Sequence, residues 1–273
     1  MKKYLFLVLI IGISVSIFQS CKDTLAFNKP DNDDPALASC DHLTMAVLYQ
    51  QTAAEYRALC YQAFNVAKYQ LDQNLRIMGL QRQQAIVVDI DETMLDNSPY
   101  EAKCILENVN YPDYWDEWMN ASNAKPVPGV LEFLKYAESK GIEIYYITNR
   151  KEKYREQTLK NLKMLGFPNA ENKYIMLKTD ESSKKARRDI VSETNKIIML
   201  IGDNLNDFSE VFEKKSVAER FELTDEMQQE FGKHFIVLPN AMYGEWEGAM
   251  FDYNYSMTDR EKEEARHRSL QSF

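Results

Sequence analysis

Residues 85–98, AIVVDIDETMLDNS, decide the fold class. The stretch begins with four apolar residues, three of them β-branched, and continues into two aspartates, Asp89 and Asp91, with one residue between them. A short, continuous apolar run predicts a strand buried on both faces, as strands are in parallel sheets. In open α/β sheets, ligands bind beyond the carboxyl ends of the strands. The stretch therefore predicts a parallel α/β fold with a site at Asp89 and Asp91.

Four more apolar runs repeat this pattern along the chain. They comprise residues 142–147, 174–177, 196–201 and 235–238. Helical patterns lie between them: residues 128–141 open with Pro-Gly and close with Lys-Gly, and residues 155–165 end before a glycine. Strands that alternate with helices predict a three-layer, Rossmann-like α/β sandwich around a parallel sheet.

Two segments outside this alternation predict a smaller α-helical cap. Residues 41–80 lack proline, have no glycine before Gly79 and carry apolar residues at helical spacing, which predicts a long amphipathic helix or a pair of helices. Residues 98–125 show no strand pattern and interrupt the first crossover, where an insertion commonly covers the site. We assign the cap to residues 39–80, 98–125 and the C-terminal tail, within one domain of residues 39–273.

The N-terminus has the organisation of a secretory signal. Residues 1–20 contain two early lysines and an apolar run that is too short for a comfortable membrane span. The pair Ser20-Cys21 resembles the lipobox of bacterial lipoproteins, so we expect Cys21 to carry lipid; the alternative is a simple cleaved signal. Residues 21–38 are polar with two prolines and predict a flexible tether. We therefore expect a lipid-anchored protein of the cell envelope, on the outer membrane or the periplasmic side.

Charge and histidine content exclude two classes of function. The formal net charge of −9 argues against a nucleic acid polymer as a partner, because such proteins need a basic face. The chain has only 3 histidines, which argues against a multi-histidine zinc centre. A metal is therefore expected among carboxylates. A small anionic ligand remains compatible with a locally positive pocket.

Polar residues follow four of the five predicted strands. They are Asp89 and Asp91 after the first, Thr148 and Asn149 after the second, Lys184 on the helix that follows the third, and Asp203 and Asp207 after the fourth. Since the carboxyl ends of parallel strands share one edge of the sheet, we expect these residues to lie together. Close carboxylates repel, and a cation between Asp89 and Asp203 would offset that repulsion. An oxygen-only ligand set favours Mg²⁺ over zinc.

Each of these residues also has a structural interpretation when it is taken alone. An aspartate after a strand frequently caps the next helix. Lys184 stands in a run of basic residues, and such a run is usually a solvated helix face. The occurrence of all four groups in order is what favours an active site. In that interpretation Asp91 keeps a proton for catalysis and Asp89 is left as the nucleophile.

Four motifs carry a family resemblance. They are DIDETMLDNS at 89–98, YITNR at 146–150, DESSK at 180–184 and GDNLNDF at 202–208. In this order they resemble the motifs of the haloacid dehalogenase (HAD) superfamily of aspartate-nucleophile enzymes. More narrowly, they are similar to the class C acid phosphatases, the bacterial lipoprotein 5′-nucleotidase branch. The resemblance runs from about residue 41 to about residue 255 and implies a HAD-like fold.

The resemblance also implies roles for the acidic residues. Asp89 would form an aspartyl-phosphate, while Asp91 would protonate the leaving oxygen and then activate water. Mg²⁺ would be bound by the side chains of Asp89 and Asp203 and by the backbone carbonyl of Asp91. Asp207 would orient this ligand shell.

For the substrate, the resemblance implies that Thr148 and Lys184 bind the phosphoryl oxygens, and we place Asn149 beside them. An aromatic residue of the cap and a tyrosine of a late loop would sandwich the base of a nucleotide. Trp115 and Tyr243 are the candidates in this sequence. Stacking suits broad specificity, because every base offers a π-face.

The sequence thus predicts a Mg²⁺-dependent acid phosphatase or 5′-nucleotidase. Its partners would be a small phosphomonoester, expected to be a nucleoside monophosphate, and the membrane that holds the lipid anchor. The sequence leaves a homodimer open. The alternative is a surface lipoprotein that binds a nucleotide or another aromatic ligand without catalysis.

Overall fold

The computed structural model describes residues 40–78 and 83–273. The predicted signal peptide of residues 1–20, the expected lipidation site at Cys21 and the tether of residues 21–38 lie outside the described residues. Of the helices described, none is both long enough and apolar enough to cross a membrane.

The described residues form seven strands and ten α-helices. The strands are β1 (Gln84–Val88), β2 (Leu95–Asp96), β3 (Lys125–Pro126), β4 (Glu143–Lys151), β5 (Ile175–Lys178), β6 (Lys196–Gly202) and β7 (Phe235–Val237). The helices are α1 (Thr44–Thr52), α2 (Ala54–Met78), α3 (Ser98–Glu107), α4 (Trp115–Ala121), α5 (Val130–Ser139), α6 (Arg155–Leu165), α7 (Lys185–Thr194), α8 (Val217–Glu226), α9 (Glu245–Met250) and α10 (Asp259–Ser269).

Five strands build one sheet in the order β5-β4-β1-β6-β7, and every neighbouring pair is parallel. β2 and β3 form a separate antiparallel pair beside it. The predicted parallel α/β fold is confirmed. The largest difference from the predicted runs is in β4, which continues through Thr148, Asn149 and Arg150 to Lys151, whereas the sequence ends it at Ile147. Its pairing with β5 is irregular between Ile147 and Lys151.

Helices cover both faces of the sheet. Successive side chains of a strand point to opposite faces, so β1 contributes residues to both of the buried clusters. Ile86 and Val88 belong to the main core, which also takes Phe64 from α2 and Phe133 from α5. The other face of β1 packs in a smaller cluster that includes Val191 of α7. These two clusters make the three layers that the sequence predicts.

A second helical group, called the cap below, includes α3 and α4, which lie within the residues 98–125 that the sequence assigns to a cap. Tyr100 and Cys104 of α3 are buried against partly buried residues that include Trp115 and Trp118. α1 contacts α3 on this side. α2, which the sequence assigns to the cap within residues 39–80, packs against α5 and β7. Its buried face continues the main core, and a helical pattern alone does not say which layer the helix covers.

Candidate active site

Three carboxylates meet at the carboxyl edge of the sheet. Asp89 follows β1, Asp203 follows β6, and Asp207 lies in the 3-10 turn beyond β6. β1 and β6 are neighbours, and Val88 at the end of β1 pairs with Ile201, one residue before the end of β6, so the two strands end close together. One oxygen from each carboxylate lies within 4.8 Å of the others. Gly202 makes room for this, since a Cβ at that position would stand 2.3 Å from an oxygen of Asp207.

Lys184 lies among these carboxylates and is itself buried. Its Nζ donates a hydrogen bond to Asp89 Oδ1 and another, at 2.6 Å, to Asp207 Oδ1. It precedes the first residue of α7, rather than lying within the helix as the sequence predicts. Burial alone would lower the pKa of Lys184, but the charges of Asp207 and Asp89 outweigh burial and raise it to about 12. The lysine is therefore a fixed positive charge at the site.

The surroundings leave the cluster short of positive charge. Burial raises the pKa of Asp89 well above its ordinary range; Lys184 opposes this rise and the neighbouring aspartates add to it. Burial and then the charge of Asp207 raise the pKa of Asp203 to about 8. Three carboxylates against one ammonium leave two negative charges when all are ionised. A divalent cation would balance them, and the oxygen donors suit a hard metal.

Neighbouring residues hold two of the carboxylates in place. Asp203 accepts hydrogen bonds from the side chains of Thr93, at 3.1 Å, and Asn240, at 2.8 Å. Asp207 Oδ2 accepts from the backbone N–H of Asn204 at 3.0 Å. Such contacts fix the direction in which a ligand oxygen points and tune its affinity for metal.

Asp91 lies in different surroundings. Its Oδ1 accepts hydrogen bonds from Arg150 Nε (2.9 Å), Arg150 Nη2 (2.8 Å) and Asn97 Nδ2 (2.7 Å). Its Oδ2 has only longer contacts, 3.2 Å to Arg150 Nε and 3.4 Å to Thr148 Oγ1. One oxygen is thus saturated with donors, and the other is held loosely.

Strand alternation in β4 decides which of its residues reach Asp91. Thr148 and Arg150 are buried, whereas Asn149 between them is exposed. The side-chain oxygen of Asn149 accepts a hydrogen bond from Arg187 at 2.8 Å. Arg150, which binds Asp91, is not among the site residues that the sequence predicts. In a strand that continues through the YITNR motif, side-chain alternation places Arg150 on the same face as Thr148.

The two aromatic candidates are placed differently. The hydroxyl of Tyr243 donates to the buried carboxylate of Glu92, directly beside Asp91 in the chain. Burial and the charge of Glu92 raise the pKa of Tyr243 well above its ordinary range. Trp115 is half-buried in the cap and makes edge contacts with Tyr100 and Tyr111, with ring centroids 4.8 and 5.8 Å away.

Sequence reasoning missed three more residues near Asp91, namely Glu92, Asn97 and Trp118. Glu92 is fully buried, with a backbone φ of 55°, which is uncommon for a residue other than glycine. Burial, and then the charge of Asp91, raise the pKa of Glu92 to about 8. Trp118 donates from Nε1 to Asn97 Oδ1 at 2.8 Å. The burial of Glu92 results from tertiary contacts, so the periodicity of the sequence does not predict it.

Comparisons with known proteins show the family of the chain. The family model for the HAD superfamily, subfamily IIIB (Acid phosphatase), matches residues 24–246. The chain belongs to this family. A crystal structure of the class C acid phosphatase from Bacillus anthracis with tungstate bound is 45% identical, has a TM-score of 0.84, and is matched over 86% of this chain and 99% of that one. A second structure of the Bacillus anthracis protein gives a TM-score of 0.83 at the same identity, over 86% of this chain and 98% of that one.

Two plant proteins are similar at lower identity. Vegetative storage protein 1 of Arabidopsis thaliana is 31% identical over 134 residues, which are 45% of this chain and 48% of the relative. Acid phosphatase 1 of Solanum lycopersicum is 28% identical over 130 residues, which are 44% of this chain and 50% of the relative. The chain spans about half the length of these curated relatives. The resemblance to class C acid phosphatases is confirmed, and with it membership of a family of phosphomonoester hydrolases that generally use a divalent metal.

Proposed function

We propose that the protein is a Mg²⁺-dependent acid phosphatase that hydrolyses small phosphomonoesters, including nucleoside 5′-monophosphates, through an aspartyl-phosphate. The observation that carries the proposal is the contrast between two aspartates of one loop. Asp89 lies with two other carboxylates and Lys184, and Asp91 lies against Arg150. The first arrangement suits a nucleophile beside a cation, and the second suits a group that transfers protons.

The donor set supports Mg²⁺. Asp89, Asp203 and Asp207 would hold the ion, and all three offer carboxylate oxygens, which Mg²⁺ prefers. When bound, the ion neutralises negative charge on the phosphoryl oxygens. Lys184 adds a fixed positive charge on the same side. The phosphoryl group would therefore meet preorganised positive charge as its own charge shifts in the transition state.

Asp89 supplies the attacking oxygen. Lys184 binds Oδ1, so we assign the attack to Oδ2. As Oδ2 bonds to phosphorus, the ester P–O bond breaks and its electron pair stays with the leaving oxygen. That oxygen takes a proton from Asp91 and leaves as the free alcohol.

Asp91 then acts in the opposite sense. Its loosely held Oδ2 is the oxygen suited to carry a proton, because Oδ1 is already bound by Arg150 and Asn97. In the second step Oδ2 accepts a proton from water as the water oxygen attacks phosphorus. The Asp89–phosphorus bond breaks, and inorganic phosphate and the free carboxylate of Asp89 are formed.

For the substrate, we propose phosphoryl contacts from Thr148 and Lys184, with Asn149 beside them. The tungstate in the Bacillus anthracis structure supports an oxyanion site in this fold, because tungstate is tetrahedral and anionic like phosphate. Trp115 and Tyr243 are our candidates for stacking on a nucleotide base. The hydrogen bond from Tyr243 to Glu92 supports a position for Tyr243 near Asp91.

Hydrolysis of 4-nitrophenyl phosphate by the full chain tests the activity. Release of 4-nitrophenol should stop when EDTA is added and return with excess Mg²⁺. A panel that adds AMP and phenyl phosphate extends the test to other leaving groups. If no phosphomonoester is hydrolysed in a metal-dependent way while a nucleotide still binds, the protein is the non-catalytic binding lipoprotein instead. One relative, from Arabidopsis thaliana, is named a vegetative storage protein rather than an enzyme.

We also propose that the protein is anchored in the cell envelope through lipid on Cys21. The N-terminal motif supports this proposal. Metabolic labelling with a clickable fatty acid should label the wild type and leave Cys21→Ser unlabelled. Recovery of Cys21→Ser in the membrane fraction at the wild-type level would count against the anchor.

A further inference from the structure

Asn97 occupies the position before α3, where an asparagine side chain ordinarily accepts a hydrogen bond from a backbone N–H and caps the helix. Its side chain makes no such bond. The side chain of Asp96 accepts from the backbone N–H of Ser98 instead, at 2.9 Å. Asn97 is fully buried, so its amide must find partners inside the protein. Those partners belong to the site.

The amide nitrogen of Asn97 serves two carboxylates. Nδ2 lies 2.7 Å from Asp91 Oδ1 and 3.0 Å from Glu92 Oε2. Glu92 Oε1 also accepts from the backbone N–H of Asn97, at 2.7 Å. The loop that carries Asp91 is thus tied to the start of α3 by a single residue.

Trp118 of α4 fixes the direction of this amide. Its indole N–H donates to Asn97 Oδ1 at 2.8 Å, and an indole can only donate. A flipped amide would set its NH₂ group against the indole N–H and its oxygen against the carboxylates of Asp91 and Glu92. Both contacts would be repulsive, so Trp118 keeps the amide nitrogen facing Asp91. The cap therefore reaches Asp91 through Asn97.

We propose that Asn97 is a positioning residue for the proton-transferring carboxyl group of Asp91, and that Trp118 holds Asn97 in its donating orientation. This inference rests on the phosphatase function proposed above. Asn97 supplies one of the three donors that bind Asp91 Oδ1, and Arg150 supplies the other two. Without Asn97, the carboxyl group is held chiefly by the guanidinium group of Arg150, so the direction of Oδ2 toward the leaving oxygen is less tightly fixed.

The consequence depends on the leaving group. The leaving oxygen takes a proton from Asp91 as the ester bond breaks, and a positioned general acid contributes about 10²- to 10⁴-fold. 4-Nitrophenolate is stable as an anion and departs with little help, whereas phenolate is more basic and needs the proton. Phenyl phosphate and 4-nitrophenyl phosphate share one ring and differ chiefly in this respect. Loss of positioning should separate the two substrates.

The experiment measures kcat/KM for both substrates in the Mg²⁺-loaded protein, because kcat/KM reports the step in which the leaving group departs. The variants are Asn97→Ala and Trp118→Phe. Trp118→Phe keeps an aromatic ring in the cap and removes the N–H, so it covers the case in which Asn97→Ala does not fold. Tyr100→Phe is the matched control, since it removes a hydroxyl from the same cap cluster without a bond to Asn97.

We expect both variants to lower kcat/KM for phenyl phosphate about tenfold more than for 4-nitrophenyl phosphate. Tyr100→Phe should change both substrates alike. Equal losses on the two substrates in Trp118→Phe would overturn the inference and leave the phosphatase function standing. A wild type that hydrolyses neither substrate would contradict the proposed function itself.

Discussion

Asp89 and Asp91 stand two residues apart in one loop, yet their side chains lie in opposite surroundings. Asp89 shares buried space with Asp203, Asp207 and one lysine. Asp91 accepts hydrogen bonds from Arg150 and other donors. It is not a member of the cluster formed by Asp89, Asp203 and Asp207. Under the proposed mechanism, the groups around each aspartate, more than its residue type, assign the roles of nucleophile and acid-base group.

The largest effect should come from Asp89. In Asp89→Asn a neutral amide replaces the proposed nucleophile and one proposed ligand oxygen, so turnover of 4-nitrophenyl phosphate should fall at least about 10³-fold. Circular dichroism should show a folded chain, because the change is close to isosteric. Activity within a factor of about ten of the wild type would break the comparison.

The next effect concerns the other aspartate. Arg150→Lys removes the planar fork that binds Asp91, and a lysine cannot reproduce it. We expect kcat/KM for phenyl phosphate to fall about 10²-fold through poor positioning of the acid. Arg155→Lys is the control, because Arg155 forms an ion pair with Glu152 away from Asp91. Similar losses in the two variants would show that any arginine change disturbs the protein.

A smaller effect should separate metal binding from proton transfer. Asn240→Ala removes the hydrogen bond to Asp203, and loss of such a contact weakens metal affinity by about tenfold or more. A titration of activity with Mg²⁺ should therefore shift to higher concentration, with near-normal turnover at saturation. Asn254→Ala, in an exposed loop, should not shift the titration. An unchanged Mg²⁺ requirement in Asn240→Ala would remove Asp203 from the metal site.

We expect the nucleotide base to bind away from the surroundings of Asp89 and Asp91. Trp115→Ala should raise KM for AMP about fivefold and leave KM for 4-nitrophenyl phosphate nearly unchanged, since one stacked base contributes ~1 kcal/mol or more. An equal rise for both substrates would assign Trp115 to packing of the cap, where it contacts Tyr100.

The smallest effect is a pH dependence of stability in the metal-free protein. The pKa of Asp203 rises from 3.8 to about 8 on folding, so the folded chain retains a proton that the unfolded chain releases between these values. The free energy of unfolding should therefore fall as pH rises from about 4 to about 8. With EDTA, we expect Tm at pH 8 to lie about 4 °C or more below Tm at pH 5.

Excess Mg²⁺ should reduce this fall, because the ion binds the folded state and stabilises the ionised carboxylates. Asp203→Asn should show a smaller fall than the wild type in EDTA. A Tm that rises with pH in EDTA would contradict the assigned direction of the pKa shift.

The sequence predicts the fold and part of the site for local reasons. Each strand is a short apolar run, and parallel strands bring Asp89 and Asp203 to one edge whatever the loops do. Arg150 was missed because β4 extends beyond its apolar run. Asn97 precedes α3, and its bonds to Asp91 and to Trp118 are tertiary contacts for which the sequence gives no local signal. The sequence does not predict that α2 packs against α5 and β7, because an amphipathic pattern does not identify the element on which a helix packs.

The most direct test asks which aspartate receives the phosphoryl group. In Asp91→Asn the first step should persist with 4-nitrophenyl phosphate, whose leaving group needs little protonation, while the second step loses its base and slows further. After an acid quench and proteolysis, mass spectrometry should find a phosphate adduct on Asp89. Steady turnover without any adduct, or an adduct on another residue, would contradict the division of roles between Asp89 and Asp91.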